Sequence, residues 1–384
     1  MARARIIDAE IEAPPDADRL AGWPRPREVR AFFGHAAAEA VALEAVTSGR
    51  MHHGWLIVGE EGIGKATFAY RLARFLLAQE ETLPAMARTL DPPDERTVRQ
   101  IASLAHPGLF VVRRAWDASG KKFRQTIAVD EIRALRHFLQ RTSVTPWRAV
   151  VVDSADDLNA NSANALLKSL EEPPVRTVFL ILSSAPGRLP PTIRSRCRLL
   201  RLEPLAGEEL ARAVTQACAG AERAAPDPEQ MRALGQLARG SARRALQLMD
   251  GGALGIAEML TRLLASLPAL DRVELHKLVA LTGARETESY TIAFDLLEEM
   301  LAETLRGAAT GEGQTRFPQL RPLAALMTQG SLADWAGLWE TIRQARGEAE
   351  RLNLDKAALI LTVFEKIDRA ARAAARRAGR SGRQ

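Results

Sequence analysis

A short apolar run that leads into a glycine-rich turn constrains the fold of this chain more than any other feature. The run Trp55-Leu-Ile-Val58 suits a buried strand, and residues 59–65 then read G-x-x-x-x-G-K, the spacing of a phosphate-binding loop. The glycines of this loop are Gly59, Gly62 and Gly64. Glycine permits backbone turns that direct N–H groups toward an anion, and Lys65 would reach the outer phosphates. Residues 68–76 have helical spacing, so the pattern predicts a helix N-terminus under the phosphates.

Two positions depart from what a hydrolysing nucleotide site requires. The residue after the loop lysine should be Ser or Thr, whose hydroxyl ligates magnesium, but it is Ala66, and Thr67 comes one position late. A second apolar run, residues 149–152, ends at Asp153, the position of the acid that holds magnesium in phosphate-loop enzymes. The glutamate that polarises the attacking water in active ATPases is replaced by Ser154. Together these departures indicate a nucleotide-binding fold that has lost hydrolysis.

The order of apolar runs predicts an α/β domain followed by helices. Further runs at residues 109–112, 178–182 and 199–202 read as strands, and helical patterns separate them, as in a parallel sheet covered by helices. Strand signals stop beyond Pro204. Three helical segments follow within residues 208–249, and the remainder of the chain is helical with glycine and proline breaks.

Two motifs near the end of the predicted sheet carry a family resemblance. One is Asn164-Ala-Leu-Leu-Lys-Ser-Leu-Glu-Glu-Pro-Pro174, and the other is Ser195-Arg-Cys197. Together with the phosphate-type loop, they resemble the clamp-loader subunits of bacterial DNA polymerase III. Ala66 and Ser154 favour the delta-prime branch of that family over the tau/gamma motor. The resemblance covers roughly residues 25–250 and implies an AAA+ sheet domain of the P-loop NTPase kind, a small helical lid and an all-α collar domain.

The resemblance also implies roles for individual residues. Arg196 would be an arginine finger presented to ATP held by a neighbouring subunit, with Ser195 and Cys197 completing the motif. Such a finger stabilises charge on the transferring phosphoryl oxygens. The alternative is that Arg196 forms a structural salt bridge. Cys197 is expected to be a packed small residue, because no histidine partner lies nearby in the sequence. Arg243, within Gly240-Ser-Ala-Arg, would lie over the nucleotide site as a sensor-2 residue or serve packing alone.

The family implies partners and a cofactor status as well. It predicts assembly with tau/gamma and delta subunits in a hetero-pentameric ring, with the sliding clamp and primed DNA bound by the complex. No cofactor is required, although the loop is compatible with weak ATP or ADP binding. Relatives commonly carry a four-cysteine zinc module after the loop helix. Residues 79–108 contain no cysteine and one histidine, His106, so no zinc is expected.

The composition limits the other classes of function. The net charge is +6, and the six arginines after Asp368 account for all of it, so residues 1–368 are neutral overall. This balance disfavours a broad DNA-binding surface; the arginine-rich end either contacts nucleic acid or an acidic partner, or is a solvated helix end. No run of 18 apolar residues occurs and no secretory segment is evident, so we expect no membrane span. With only Cys197 and Cys218 present, a cytoplasmic protein is expected.

Two rival functions remain open on the sequence alone. One is an active AAA+ ATPase of the tau/gamma type, which Ala66 and Ser154 disfavour. The other is a nucleic-acid-binding regulator that uses the arginine-rich end. Under the preferred interpretation the domain boundaries are as follows. They are a lead-in at 1–24, the AAA+ domain at 25–204, the lid at 205–250, the collar at 251–377 and a basic tail at 378–384.

Overall fold

The chain divides into two structural units. Residues 1–227 with 239–244 form the first, and residues 228–238 with 245–384 form the second. The computed structural model describes residues 16–17, 19–80, 83–84, 86–91, 94–250, 252–282, 287–311, 316–352 and 354–381. Most of the predicted lead-in and the last residues of the predicted tail therefore lie outside the described residues.

Strands and helices alternate along the first unit. Its strands are β1 (Gly54–Val58), β2 (Leu109–Val112), β3 (Trp116–Asp117), β4 (Lys122–Phe123), β5 (Arg148–Val152), β6 (Thr177–Ser183) and β7 (Arg198–Arg201). Its helices are α1 (Ala36–Thr47), α2 (Lys65–Leu77), α3 (Glu95–Ala102), α4 (Val129–Gln140), α5 (Ala160–Glu171), α6 (Pro191–Arg194) and α7 (Gly207–Gly220). Short 3₁₀ turns cover Ala155–Asp157 and Pro186–Arg188.

The main sheet is parallel, and its central strands β5, β6 and β1 are buried on both faces. Its strand order is β2-β5-β6-β1-β7, and β1 pairs in parallel with both β6 and β7. Trp55 and Ile57 belong to one hydrophobic cluster, which includes α2, whereas Leu56 and Val58 belong to the other, which includes α4 and α5. Successive side chains on a strand point to opposite faces, so a continuous apolar run suits a sheet covered by helices on both sides. The predicted α/β class is confirmed.

The second unit is helical in the residues described. Its helices are α8 (Pro228–Ala238), most of α9 (Ala242–Asp250), α10 (Ala253–Ala265), α11 (Arg272–Thr282), α12 (Thr287–Thr310), α13 (Arg321–Gln329), α14 (Leu332–Leu352) and α15 (Lys356–Ser381). The long helix α12 packs against α10, α13 and α14. Trp335 is buried, and Trp339 donates from Nε1 to the Glu298 carbonyl oxygen at 3.0 Å, so both serve packing within this unit. The finer division into lid and collar stays a prediction.

Two local features of the first unit are not evident from the sequence pattern alone. The turn expected near residues 118–122 joins two short strands, β3 and β4, that the sequence pattern did not reveal. Among the described residues before β1, one helix forms, α1.

Candidate functional site

The phosphate-type loop joins β1 to α2 at the edge of the sheet where the parallel strands end, here called the carboxyl edge. Gly64 is the N-cap of α2 and Lys65 is its first residue. Gly62 has a φ of +78°, and a Cβ there would lie 2.4 Å from Ser241 Oγ and 2.5 Å from Arg243 Cβ. Only glycine fits such a backbone so close to another segment. The loop therefore has the predicted path, but residues 239–244 lie against it.

Lys65 is held by acceptors of the protein itself. Its Nζ donates to the carbonyl oxygens of Gly59 at 2.7 Å and Glu60 at 2.6 Å, and to Ser184 Oγ at 2.8 Å. An ammonium group has three donors, and these three contacts use them. Burial lowers the pKa of Lys65, while the nearby Asp153 carboxylate acts in the opposite direction. An incoming phosphate would have to displace these acceptors.

The two positions where a magnesium ligand would be expected, 66 and 153, lie close to the loop. Ala66 packs against the hydrophobic cluster under α2, where its methyl group offers no ligand, and Thr67 follows it on the helix. Asp153 comes directly after β5, and its N–H donates to the Val112 carbonyl oxygen of β2 at 2.8 Å. The sheet therefore brings Asp153 to the carboxyl edge beside Lys65.

Asp156 is an important residue of this edge that the sequence analysis did not single out. One carboxylate oxygen accepts from Ser183 Oγ at 2.6 Å, and the other accepts from the Ser184 N–H at 2.6 Å and from Ser154 Oγ at 3.2 Å. It fixes the end of β6 and thereby positions Ser184 against Lys65. An acid four residues after the end of β5 was the available signal, but its partners Ser183 and Ser184 lie 27 and 28 residues further along the chain.

Arg243 contacts the phosphate-type loop, and its predicted sensor-2 role stays a prediction. Its backbone N–H donates to the Gly62 carbonyl oxygen at 3.2 Å, and its Nε is 3.9 Å from Glu61 Oε1. The backbone contact secures the 239–244 segment on the loop. The arrangement therefore includes a packing role for Arg243, one of the two roles that the sequence left open.

The segment before α1 covers the other side of the loop, and the sequence interpretation missed this. His35 Nε2 donates to the Ile63 carbonyl oxygen at 2.9 Å, so this nitrogen carries the proton. The ring stacks on Phe32 at a centroid distance of 5.3 Å. Burial lowers the pKa of His35, which keeps the imidazole neutral near neutral pH.

The Ser195-Arg-Cys197 motif lies at the opposite edge of the sheet, the amino edge, between α6 and β7. A Cβ on Gly54, the first residue of β1, would lie 3.2 Å from both the Arg196 carbonyl oxygen and Cys197 Sγ. Glycine at this position therefore allows the motif to pack directly against β1. Ser195 Oγ donates to the Thr192 carbonyl oxygen at 3.1 Å and stabilises the turn.

Arg196 is partly exposed and is also ion-paired. Its Nη2 lies 2.7 Å from Glu171 Oε1, and its Nη1 donates to the Thr192 carbonyl oxygen at 2.9 Å. The salt bridge that the sequence left as an alternative is therefore present. The Arg196 side chain is 35% exposed, so the guanidinium also faces solvent. Burial raises the pKa of Cys197 to about 11, which agrees with a packed thiol and disfavours a nucleophile.

The two candidate sites are separated by the length of the sheet. Gly54 begins β1 beside the Arg196 motif, and Val58 ends it at the phosphate-type loop. At about 3.3 Å per residue, β1 alone spans roughly 13 Å. Arg196 and Lys65 of one chain therefore do not form a common site. The sequence could not show this, because the separation depends on the direction of β1 and β7 in the folded sheet.

Comparison with known proteins identifies relatives of part of this chain. Residues 35–206 match the family model described as DNA polymerase III, delta subunit. The chain is 39% identical to the DNA polymerase III subunit delta' of Pseudomonas aeruginosa over 38% of this chain and 41% of that protein. Residues 35–206 are therefore similar in sequence to part of the clamp-loader subunits of the delta' type.

Two further relatives have a lower sequence identity to this chain. The Escherichia coli subunit delta' is 34% identical over 41% of this chain and 44% of its own length. The E. coli subunit tau is 29% identical over 59% of this chain and 33% of its own length. The match thus spans less than half the length of these curated relatives.

Metal and membrane features were also considered for the described part of the chain. There, no group of three or more His, Cys, Asp or Glu side chains is arranged to hold a metal ion. Within the same ranges, no helix has both the length and the apolar character needed to cross a membrane. His52 and His53 stack at a centroid distance of 4.4 Å, since both precede β1 and the alternation of a strand does not separate them.

Proposed function

We propose that this chain is a subunit of the DNA polymerase III clamp loader that does not hydrolyse ATP itself. It presents Arg196 to ATP held by a neighbouring subunit and so acts as a stator within the ring. Its partners are tau/gamma and delta subunits in a hetero-pentameric assembly, and the complex loads the sliding clamp on primed DNA. It requires no cofactor and carries no zinc, although its loop retains weak ATP or ADP binding.

The position of Arg196 is the observation that carries the proposal. A guanidinium at the amino edge of the sheet is too far from the chain's own loop to act there, but it is accessible to a second molecule. Within its own loop, Lys65 is engaged by protein acceptors and Ala66 offers no magnesium ligand. These features support a chain that contributes to catalysis at a neighbour's site and not at its own.

An active ATPase of the tau/gamma type is the second candidate, because the relationship to subunit tau extends over 59% of this chain. The two candidates differ in what the isolated protein does. We expect the purified chain to show no turnover with magnesium-ATP and to co-purify with tau/gamma and delta subunits. Turnover near ~1 s⁻¹, the low end for phosphoryl-transfer enzymes, would favour the active ATPase. Failure of the chain to bind those subunits would contradict its proposed role as a stator.

A further inference from the structure

The Arg196 guanidinium is held by two acceptors on neighbouring elements, and one of them is charged. Glu171, the last residue of α5, meets Nη2 at 2.7 Å, and the Thr192 carbonyl oxygen of α6 meets Nη1 at 2.9 Å. The two terminal nitrogens are therefore fixed from different sides. Such a pair of contacts defines the plane of a guanidinium as well as its position.

Helix stability does not explain the carboxylate at this position. Glu171 ends α5, where the helix dipole favours a cation and disfavours an acid. Glu172, the C-cap of α5, follows it. Two acids therefore lie at the C-terminal end of the helix, where the dipole disfavours negative charge. The Arg196 side chain supplies the positive charge that Glu171 needs. The placement is therefore better explained by what Glu171 does to Arg196 than by what it does for α5.

We infer that Glu171 is a positioning residue for the arginine finger. This inference rests on the proposed function, since it concerns how Arg196 is presented to ATP in a neighbouring subunit. A long, exposed arginine samples many rotamers, and fixing it before the phosphate arrives removes that cost from the reaction. Both terminal nitrogens carry a second hydrogen, so the held guanidinium keeps N–H groups for phosphate oxygens.

Glu171 acts through Arg196 and makes no contact with nucleotide. Removal of its carboxylate leaves the finger attached to the Thr192 carbonyl alone and lets it swing away from the productive position. Small misplacements of a catalytic group are costly to the rate. Loss of the Glu171 carboxylate should therefore lower the kcat of the assembled complex and leave its affinity for ATP nearly unchanged.

The test uses complete clamp-loader complexes reconstituted with variants of this chain, and measures DNA- and clamp-stimulated ATP turnover with its kcat and KM. Glu171→Ala should lower the kcat governed by this interface about 10-fold at nearly constant KM. Glu171→Gln should recover most of the rate, because its amide oxygen still accepts from Nη2. Glu172→Ala is the matched control, and it should behave as wild type.

A double-mutant comparison separates positioning from general damage to the fold. In complexes that already carry Arg196→Ala, adding Glu171→Ala should lower the rate no further, because the group it positions is gone. Additive losses would overturn the inference, as would a Glu171→Ala complex that turns over at or above the wild-type rate. Thermal unfolding of each isolated variant checks that it is folded.

Failure of the inference can be told from failure of the proposed function. If Arg196→Ala complexes are slow and Glu171→Ala complexes are normal, the finger remains and the positioning role is wrong. If Arg196→Ala complexes are themselves normal, the proposed function fails and the positioning role falls with it.

Discussion

At the scale of single residues, Gly62 tests how tightly the phosphate-type loop is packed. Its φ is +78°, and a methyl group there would lie within 2.5 Å of Ser241 and Arg243 side-chain atoms. We expect Gly62→Ala to lower the free energy of unfolding by about 1–3 kcal/mol, through backbone strain and overpacking together. The measurement is chemical denaturation of the isolated protein.

A second glycine provides the control for this measurement. A Cβ added at Gly187 would meet no atom of the described residues within 4 Å, and the φ of Gly187 is not left-handed. Gly187→Ala should therefore change stability little. If Gly62→Ala were as stable as Gly187→Ala, residues 239–244 would not pack closely on the loop.

The sequence identified the residues of this site more readily than their contacts. The loop spacing, Ala66, Ser154 and Arg196 are local patterns, and local patterns can be read from the chain. The contact of Lys65 with Ser184 joins residues 119 positions apart. It depends on β6 lying beside β1 in the sheet, which no local pattern specifies.

At the scale of elements, a buried carboxylate holds the segment before α1 to the sheet domain. Asp16 pairs with Arg27 Nη2 at 2.6 Å, with Arg25 Nε at 2.7 Å and with Arg113 Nη2. Burial raises the pKa of Asp16, but the hydrogen bond from Arg27 and the charges of Arg113 and Arg27 outweigh it. The pKa is therefore lowered from its usual 3.8.

The sign of the pH dependence follows from that direction. Because the folded protein binds a proton on Asp16 more weakly than the unfolded chain does, Asp16 contributes stability above about pH 3.8. That contribution is lost as the pH falls through the lower, folded pKa. We expect Asp16→Asn to be less stable than wild type at neutral pH, with the gap narrowing below pH 4.

Stability curves against pH measure this effect. The control is Asp130→Asn, which removes an exposed ion pair with Arg133 that contributes little. If the Asp16→Asn gap stayed constant between pH 7 and pH 3, the ion pairs of Asp16 would not be responsible for its contribution.

Element positions were predictable where one physical pattern dominated. The strands of the main sheet lie within one or two residues of the predicted runs. The central strands β1, β5 and β6 gave the clearest signal, because strands buried on both faces are largely apolar. The cap of α5 could not be assigned from the sequence, since Asn159, Asn161 and Ser162 are all good caps by type and only the folded path selects one. The β3–β4 hairpin was missed because each of its strands is two residues long.

At the scale of the whole molecule, the proposed function depends on two sites that lie at opposite edges of the sheet. The loop at the carboxyl edge is occupied by the chain's own side chains and backbone, and Arg196 stands at the amino edge. The sequence suggested both features, but only the sheet topology places them at opposite edges. The proposed function gives Arg196 a role at ATP that a second subunit holds.

The most direct test of this central claim is ATP turnover by reconstituted complexes that carry Arg196→Ala. The variant should fold, since a partly exposed ion pair contributes little to stability, and it should join the complex. Turnover at the neighbouring ATP site should fall on the order of 10³-fold, and clamp loading should fall with it. Arg196→Lys should restore little, because an ammonium cannot make the bidentate contact of a guanidinium. Wild-type rates of ATP turnover and clamp loading with Arg196→Ala would contradict the account.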